Sequence, residues 1–213
     1  IYGSETASTV RSRGIYHFPY DTSLLVYDDL QCSDLGNSVV NWGASPLRSY
    51  AMDTAADYSM GQFVWTGFDY IGEPTPYSTK NSYFGIVDTA GFEKDSFWFY
   101  KSVWDIACEK PFIHISPCYW DFNEGQMIDI IAYSNLPVLK LRYCGKIYDS
   151  ETLDHKSEDK LCAHFRVPYH KNSPVAVRGY YNENCTINDY AVEKVLFTSL
   201  DPYKIRMHSD RSE

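Results

Sequence analysis

Glu5 stands in the run Gly3-Ser4-Glu5-Thr6-Ala7-Ser8, a carboxylate between small residues whose nearest basic neighbours, Arg11 and Arg13, come several positions later. Such a segment at the carboxyl end of a strand can present an anionic nucleophile, because small flanking side chains leave the carboxylate open and no adjacent cation neutralises it. The chain holds 28 acidic residues, and an arbitrary Glu is ordinarily a solvated surface charge, so the segment by itself leaves both readings open. Little else is signalled at short range. The six cysteines, Cys32, Cys108, Cys118, Cys144, Cys162 and Cys185, include no C-x-x-C pair. That removes the zinc-knuckle and dithiol patterns, and neither a metal nor a cofactor is expected.

The elements that must position Glu5 follow from the pattern around it. Ile1 to Ser4 reads as the end of a strand, and Gly14 to Asn41 as a long irregular loop of the kind that covers a site. Ser45-Pro46 is an N-cap followed by a first-turn proline, and Leu47, Tyr50, Ala51, Ala55 and Tyr58 recur at helical spacing up to a stop at Gly61. Gln62 to Phe68 is a short apolar run of buried-strand type. Strand, helix and strand make a βαβ unit with parallel neighbours. Gly72-Glu73-Pro74-Thr75-Pro76 should be a loop, Tyr83 to Val87 a weaker strand, and Phe92 to Trp104 a helix with Phe97, Tyr100, Lys101 and Trp104 on one face. After Pro111 five short runs, 127–133, 138–148, 161–167, 175–181 and 191–198, alternate between turn residues and predict a β-sandwich, with 149–160 as an exposed hairpin loop. The expected organisation is therefore an α/β unit over 1–110, an all-β sandwich over 111–200 and a linker into a further domain over 201–213.

The chain of 213 residues is long enough to bury a core. Aromatic residues form 16 % of it, with nineteen Tyr and five Trp. That surplus suits carbohydrate recognition, since rings stack on the apolar C–H faces of sugars, although core filling accounts for most rings in any protein. A net charge of −9 and a pI near 5.1 argue against nucleic acid or an anionic membrane as partner, while a neutral sugar is compatible. No apolar run reaches the roughly 18 residues of a membrane span, and no signal-peptide pattern is visible. The chain does not open on Met, so a lost leader stays open. Scattered thiols lean towards a reducing, cytoplasmic setting, and Asn184-Cys185-Thr186 is a sequon only in form.

The opening segment, Gly3-Ser4-Glu5-Thr6-Ala7-Ser8 with Arg13-Gly14 behind it, resembles the nucleophile segment of the family 2 glycoside hydrolases, in particular the β-galactosidases. A second block, Gly61 to Tyr77, is similar to another segment of that family at the right distance downstream, and Gly91-Phe92-Glu93-Lys94-Asp95 is similar to the family's Gly-Phe-Pro-Lys-Asp before its closing helix. Leu141 to Lys146 resembles the turn of the immunoglobulin-like domain that follows the catalytic barrel. The resemblance implies the last two βα units of a (β/α)8 TIM barrel followed by an immunoglobulin-like β-sandwich, as an internal or C-terminal fragment. It implies that Glu5 is the nucleophile of a retaining glycosidase acting on β-galactosides or related oligosaccharides. Trp65 would wall the sugar subsite, or else be a buried strand-end indole. Asp69 and Glu73 would bind sugar hydroxyls, or else pin their loop.

A retaining mechanism needs a second carboxyl about 5–5.5 Å from the nucleophile. In the family it belongs to an Asn-Glu pair far upstream of the nucleophile. The pairs present here, Asn123-Glu124 and Asn182-Glu183, fall downstream, so the acid/base should lie outside this chain, in a barrel portion supplied by the same chain or by a partner chain. Relatives that cleave glucuronides carry Asn-x-Lys where this chain has Ser82-Tyr83-Phe84, with Lys80 out of register. A neutral galactoside is therefore expected over a glucuronide. Another neutral-sugar exo-β-glycosidase, or a non-catalytic carbohydrate-binding or structural module, is the competing expectation; a homo-oligomer is compatible with either.

Overall fold

A computed structural model describes residues 1–18, 32–36, 38, 40–105, 110–118, 120, 122–149, 151–154 and 157–198. Most of the anticipated loop between Gly14 and Asn41, Cys108 and the anticipated linker at 201–213 lie outside the described residues. The chain is mostly β, with two α-helices among the described residues.

Strand β1 (Gly3–Thr6) pairs parallel with β2 (Gln62–Val64), in the register Gly3 to Gln62 and Thr6 to Val64, across helix α1 (Pro46–Thr54). Ser45 accepts the Arg48 N–H and Pro46 occupies the first turn, as the sequence predicts. The helix ends earlier than Tyr58, because Thr54 turns its hydroxyl back onto the carbonyls of Tyr50 and Ala51, and Ser59 bonds the Asp53 carboxylate. Strand β2 also stops earlier than Phe68. From Thr66 onward the backbone changes partner: Thr66 N–H reaches the Phe84 carbonyl (3.3 Å), and Thr66 and Gly67 carbonyls accept from Ile86 and Val87 (3.0 Å each). The stretch Tyr83 to Val87 is thus held by these bonds and a bridge from Val87 to Phe68 rather than as a regular strand. The expected loop at 72–76 is instead part of β3 (Tyr70–Thr75), paired parallel with β4 (Asn81–Ser82) through several register shifts. Gly72 and Glu73 supply the positive φ angles, 94° and 45°, that those shifts require.

Helix α2 (Asp95–Trp104) begins after Lys94, three residues later than expected. Its core face is Phe99, Tyr100 and Val103, and Trp104 is exposed, so the anticipated face through Phe97 and Trp104 is rotated. Beyond it lie two antiparallel sheets. One has the order β10 (Ala163–Pro168), β6 (Met127–Ser134), β5 (Ile113–Ser116); the other runs β12 (Tyr190–Phe197), β11 (Pro174–Tyr180), β7 (Val138–Tyr143), β8 (Lys146–Ile147), with β9 (Glu151–Thr152) also on β7. All five expected strands occur. The run 138–148 is split into β7 and β8 by Cys144-Gly145, whose φ angles of 50° and 74° make a two-residue primed turn. The sheets bury a common core that includes Ile115, Ile128 and Ile130 from one and Leu139, Leu141 and Val177 from the other. Strand β6 is buried on both faces. Ile128 and Ile130 meet that core, while Ile131 and Tyr133 meet a second one with Phe99, Tyr100, Val103, Leu47 and Tyr50 of the two helices. This accounts for its nearly unbroken apolar run.

Candidate active site

The parallel pairing sets the site. Gly3 N–H bonds the Gly61 carbonyl (3.0 Å), Trp65 N–H bonds the Thr6 carbonyl (2.9 Å), and the Thr6 hydroxyl reaches Gln62 Oε1 (2.8 Å). With the register locked in this way, Glu5 on β1 and Trp65 just beyond β2 arrive at the same end of the two strands. They share a cleft of about 430 Å³ that also takes in Glu73, Tyr70 and Thr75 from β3 and Ser8 from the turn after β1. Trp42, Pro74, Tyr77 and Phe84 complete its lining. The volume is of the size that accommodates small ligands. Glu5 is exposed and Trp65 half-buried. The indole is braced edge-on by Tyr70, with ring centroids 6.0 Å apart and planes at 83°. Tyr70 also points its hydroxyl at Glu73, 3.5 Å from Oε2. Two carboxylates, five aromatic rings and several hydroxyls line the cleft, and no Lys or Arg is among the described residues of the lining.

Asp69, next to Tyr70, does not itself line this cleft. Its Oδ1 accepts from Lys94 Nζ (2.8 Å) and from the Gly85 N–H (2.8 Å), and the side chains of Lys94 and Asp69 are 1 % and 6 % exposed. Burial raises the Asp69 pKa against the lowering influence of Lys94, and burial lowers that of Lys94. Lys94 Nζ also donates to the carbonyls of Arg11 (2.7 Å) and Tyr83 (3.4 Å), and the buried Arg11 guanidinium donates to the carbonyl of Phe84 (3.3 Å). The two cations thereby hold, from the interior, the backbone that presents Phe84 to the cleft. Gly85 allows this contact: a Cβ there would lie 2.1 Å from Asp69 N and 2.5 Å from the Val87 carbonyl oxygen.

Asp34 completes the buried group. Its Oδ2 accepts the Gly14 N–H at 3.1 Å, and its pKa rises from 3.8 to about 8 because burial, together with the nearby Asp95, outweighs Lys94, Gly14 and Arg11. The folded chain therefore keeps a proton that the unfolded chain has released between those two values. The stability it contributes is complete below pH 4 and is lost as the pH rises through about 8. Asp34→Asn should flatten that slope and exceed the native chain by on the order of 2–4 kcal/mol at pH 8, read from denaturation midpoints across pH. Equal slopes in the two proteins would contradict it.

The carboxylates of the downstream pairs are elsewhere. Glu124 is bonded to His170 (2.7 Å) and to the Lys171 N–H (2.9 Å), and neither it nor Glu183 lines the cleft. Among the described residues no group of three or more His, Cys, Asp or Glu could hold a metal, and no helix is long and apolar enough to cross a membrane. Of the lining residues, Ser8, Trp42, Tyr70, Pro74, Thr75 and Tyr77 are given no site role by the sequence, and Phe84 enters there only by its place opposite the Asn-x-Lys of glucuronide-cleaving relatives. Only the small residues after Glu5 and the turn signals beside Trp42 and Tyr77 could have pointed to some of them.

No family model matches the chain. A β-galactosidase of Bacteroides ovatus, BoGH2A, is 35 % identical over 98 % of this chain and 24 % of its own length. A putative β-glucuronidase of Formosa agariphila is 30 % identical over 82 % of this chain and 16 % of its own. The chain thus spans about a quarter or less of the length of these curated relatives. Among solved structures, a β-glycosidase from Bacteroides vulgatus superposes with a TM-score of 0.72 at 21 % identity, over 94 % of this chain and 28 % of that one. The structural likeness carries the fold, and the match to the Bacteroides ovatus enzyme runs through both motif blocks and on to nearly the whole length: the chain belongs to glycoside hydrolase family 2.

Proposed function

We propose that this chain supplies the nucleophile and one wall of the sugar subsite of a retaining exo-β-galactosidase. Residues 1–110 are then the last two βα units of a (β/α)8 barrel, and 111–200 an immunoglobulin-like sandwich behind it. Glu5 attacks the anomeric carbon to form a glycosyl-enzyme, Trp65 stacks on the terminal galactose, and Glu73 accepts from its hydroxyls. Asp69 acts at one remove, holding Gly85 and Lys94 beneath the cleft. The general acid/base is assigned to no residue of this chain.

The observation that carries the reading is the lining itself, with Glu5 and Trp65 in one cleft and no cation among its described residues. A sugar carboxylate would meet Glu5 and Glu73 with nothing to pair it, and desolvating it there would be unfavourable. At the positions where glucuronide-cleaving relatives carry Asn-x-Lys, Ser82 is buried and bonded to the Glu73 carbonyl, and Phe84 is an apolar part of the lining. The test uses the whole protein. A 2-deoxy-2-fluoro-β-galactoside with a good leaving group should label the peptide containing Glu5, seen by mass spectrometry. The kcat/KM for a nitrophenyl β-galactoside should exceed that for the β-glucuronide by about 100-fold or more. A label on another residue, or a preference for the glucuronide, would refute the reading.

A further inference from the structure

Arg11 follows Glu5 on the same segment and is fully buried, yet it differs from the other buried cation. Lys94 has the Asp69 carboxylate at 2.8 Å and two carbonyls besides. Among the described residues Arg11 has no carboxylate in contact: Nη1 donates to the Phe84 carbonyl (3.3 Å), while Nε and Nη2 have no hydrogen-bond partner. Burial lowers the Arg11 pKa against the opposing influence of Tyr100, Asp34, Asp69 and Tyr133. A buried charge with donors left unmet weighs against a fold, and an apolar side chain of similar size in its place is often neutral or stabilising. Atoms already enclosed by this segment are out of reach of any further part of a longer protein, so the orphaned donors are set by these residues themselves.

What the guanidinium does hold is the cleft. Three stretches of backbone border it: 3–6 with Glu5, 62–66 with Trp65, and 83–84. The first two are joined by the parallel ladder. The third meets both at one atom, because the Phe84 carbonyl accepts from the Thr66 N–H (3.3 Å), directly after Trp65, and from Arg11 Nη1 (3.3 Å). The Arg11 N–H bonds the Tyr83 carbonyl (2.9 Å), and Lys94 Nζ joins the carbonyls of Arg11 and Tyr83. Those contacts stop at Tyr83. Among the described residues, the guanidinium is what carries the link from the Glu5 segment on to Phe84, whose ring lines the cleft.

We propose that Arg11 is a positioning residue, kept for the geometry of the cleft although its buried charge destabilises the fold. It ties the Glu5 segment to the Phe84 carbonyl and, through that oxygen, to the residue after Trp65, so that carboxylate, indole and Phe84 ring keep one spacing around the sugar. This rests on the reading of Glu5 as nucleophile and Trp65 as the sugar wall. A misplacement of about 1 Å at a reacting centre can slow the reaction by about 100-fold. The rings remain available to bind the sugar when the link is lost, so the effect falls on kcat more than on KM.

The experiment measures kcat and KM for a nitrophenyl β-galactoside, at a temperature where every variant is folded, together with denaturant midpoints, in the whole native protein, Arg11→Met and Arg11→Lys. In Arg11→Met, kcat should fall roughly tenfold or more and KM change less than about threefold, with a midpoint equal to or above the native one. Arg11→Lys, which keeps a donor on a similar stem, should recover part of kcat. A lysine variant no faster than the methionine one would overturn the link through the donor. A midpoint that drops as far as that of Lys94→Met, or an Arg11→Met that fails to fold, would make the arginine a support of the fold and overturn the proposal. Native kcat in Arg11→Met, with or without a raised KM, overturns it as well. The parent reading fails separately: full activity in Glu5→Gln removes both proposals, whereas an inactive Glu5→Gln beside a fully active Arg11→Met removes only this one.

Discussion

If Glu5 is the proposed nucleophile, Glu5→Gln in the whole protein should lower the hydrolysis of a chromogenic β-galactoside by roughly four orders of magnitude or more, with little change in KM. Glutamine keeps the size and hydrogen-bonding shape of the side chain, so β1 and the cleft should be undisturbed. What disappears is the anionic oxygen to which the proposed mechanism assigns the bond to the anomeric carbon. A positioning role would also lower the rate, so a second variant separates the two. Glu5→Gly opens room for a small anion, and added azide should then restore turnover by attacking the anomeric carbon from the vacated side. The product expected is the α-galactosyl azide, inverted relative to the substrate. Recovery without that product, or native rates in Glu5→Gln, would show that the bond is made elsewhere.

Lys94→Met removes about 3–5 kcal/mol of stability, a far larger effect than surface substitutions give. The ammonium, 1 % exposed, faces the Asp69 carboxylate, 6 % exposed, and also satisfies the carbonyls of Arg11 and Tyr83. Taking it away leaves a buried charge without its partner and two carbonyls with less than their due. The double replacement Lys94→Met with Asp69→Leu should recover part of the loss, because no unpaired charge then remains. Thermal and denaturant midpoints read the difference; a single variant as stable as the native chain would exclude the pair as a foundation of the cleft. Asp69→Asn keeps the acceptor for Gly85 and should sit between the two.

Local signals were legible where local physics decides. Ser45-Pro46 announces α1, short apolar runs bounded by turn residues announce β6, β7, β10, β11 and β12, and the small residues around Glu5 leave its carboxylate open. Partnerships across long separations were not. Asp69 stands four residues after Trp65 and invites a reading as a sugar ligand, but its partner is Lys94, 25 positions further on. Nothing in the immediate sequence marks that lysine as buried. The end of β2 was misjudged for the same reason, since Phe84 and Ile86 draw Thr66 away from the strand. Strand β5 went unseen because Ile113-His114-Ile115-Ser116 is too short to show a period, and its place is set by pairing with β6. Trp42 and Tyr77 belong to turns, where no hydrophobic period marks a residue as part of the cleft lining.

Strand β6 has no wet side: one row of its side chains belongs to the sandwich and the other to the helices. Heat cannot loosen the helical layer without stripping Ile131 and Tyr133, nor melt the sheets without undercutting Phe99 and Tyr100. The helical layer and the two sheets of this chain should accordingly share a fate, giving way in a single step, and a cut between them should leave two adhesive halves.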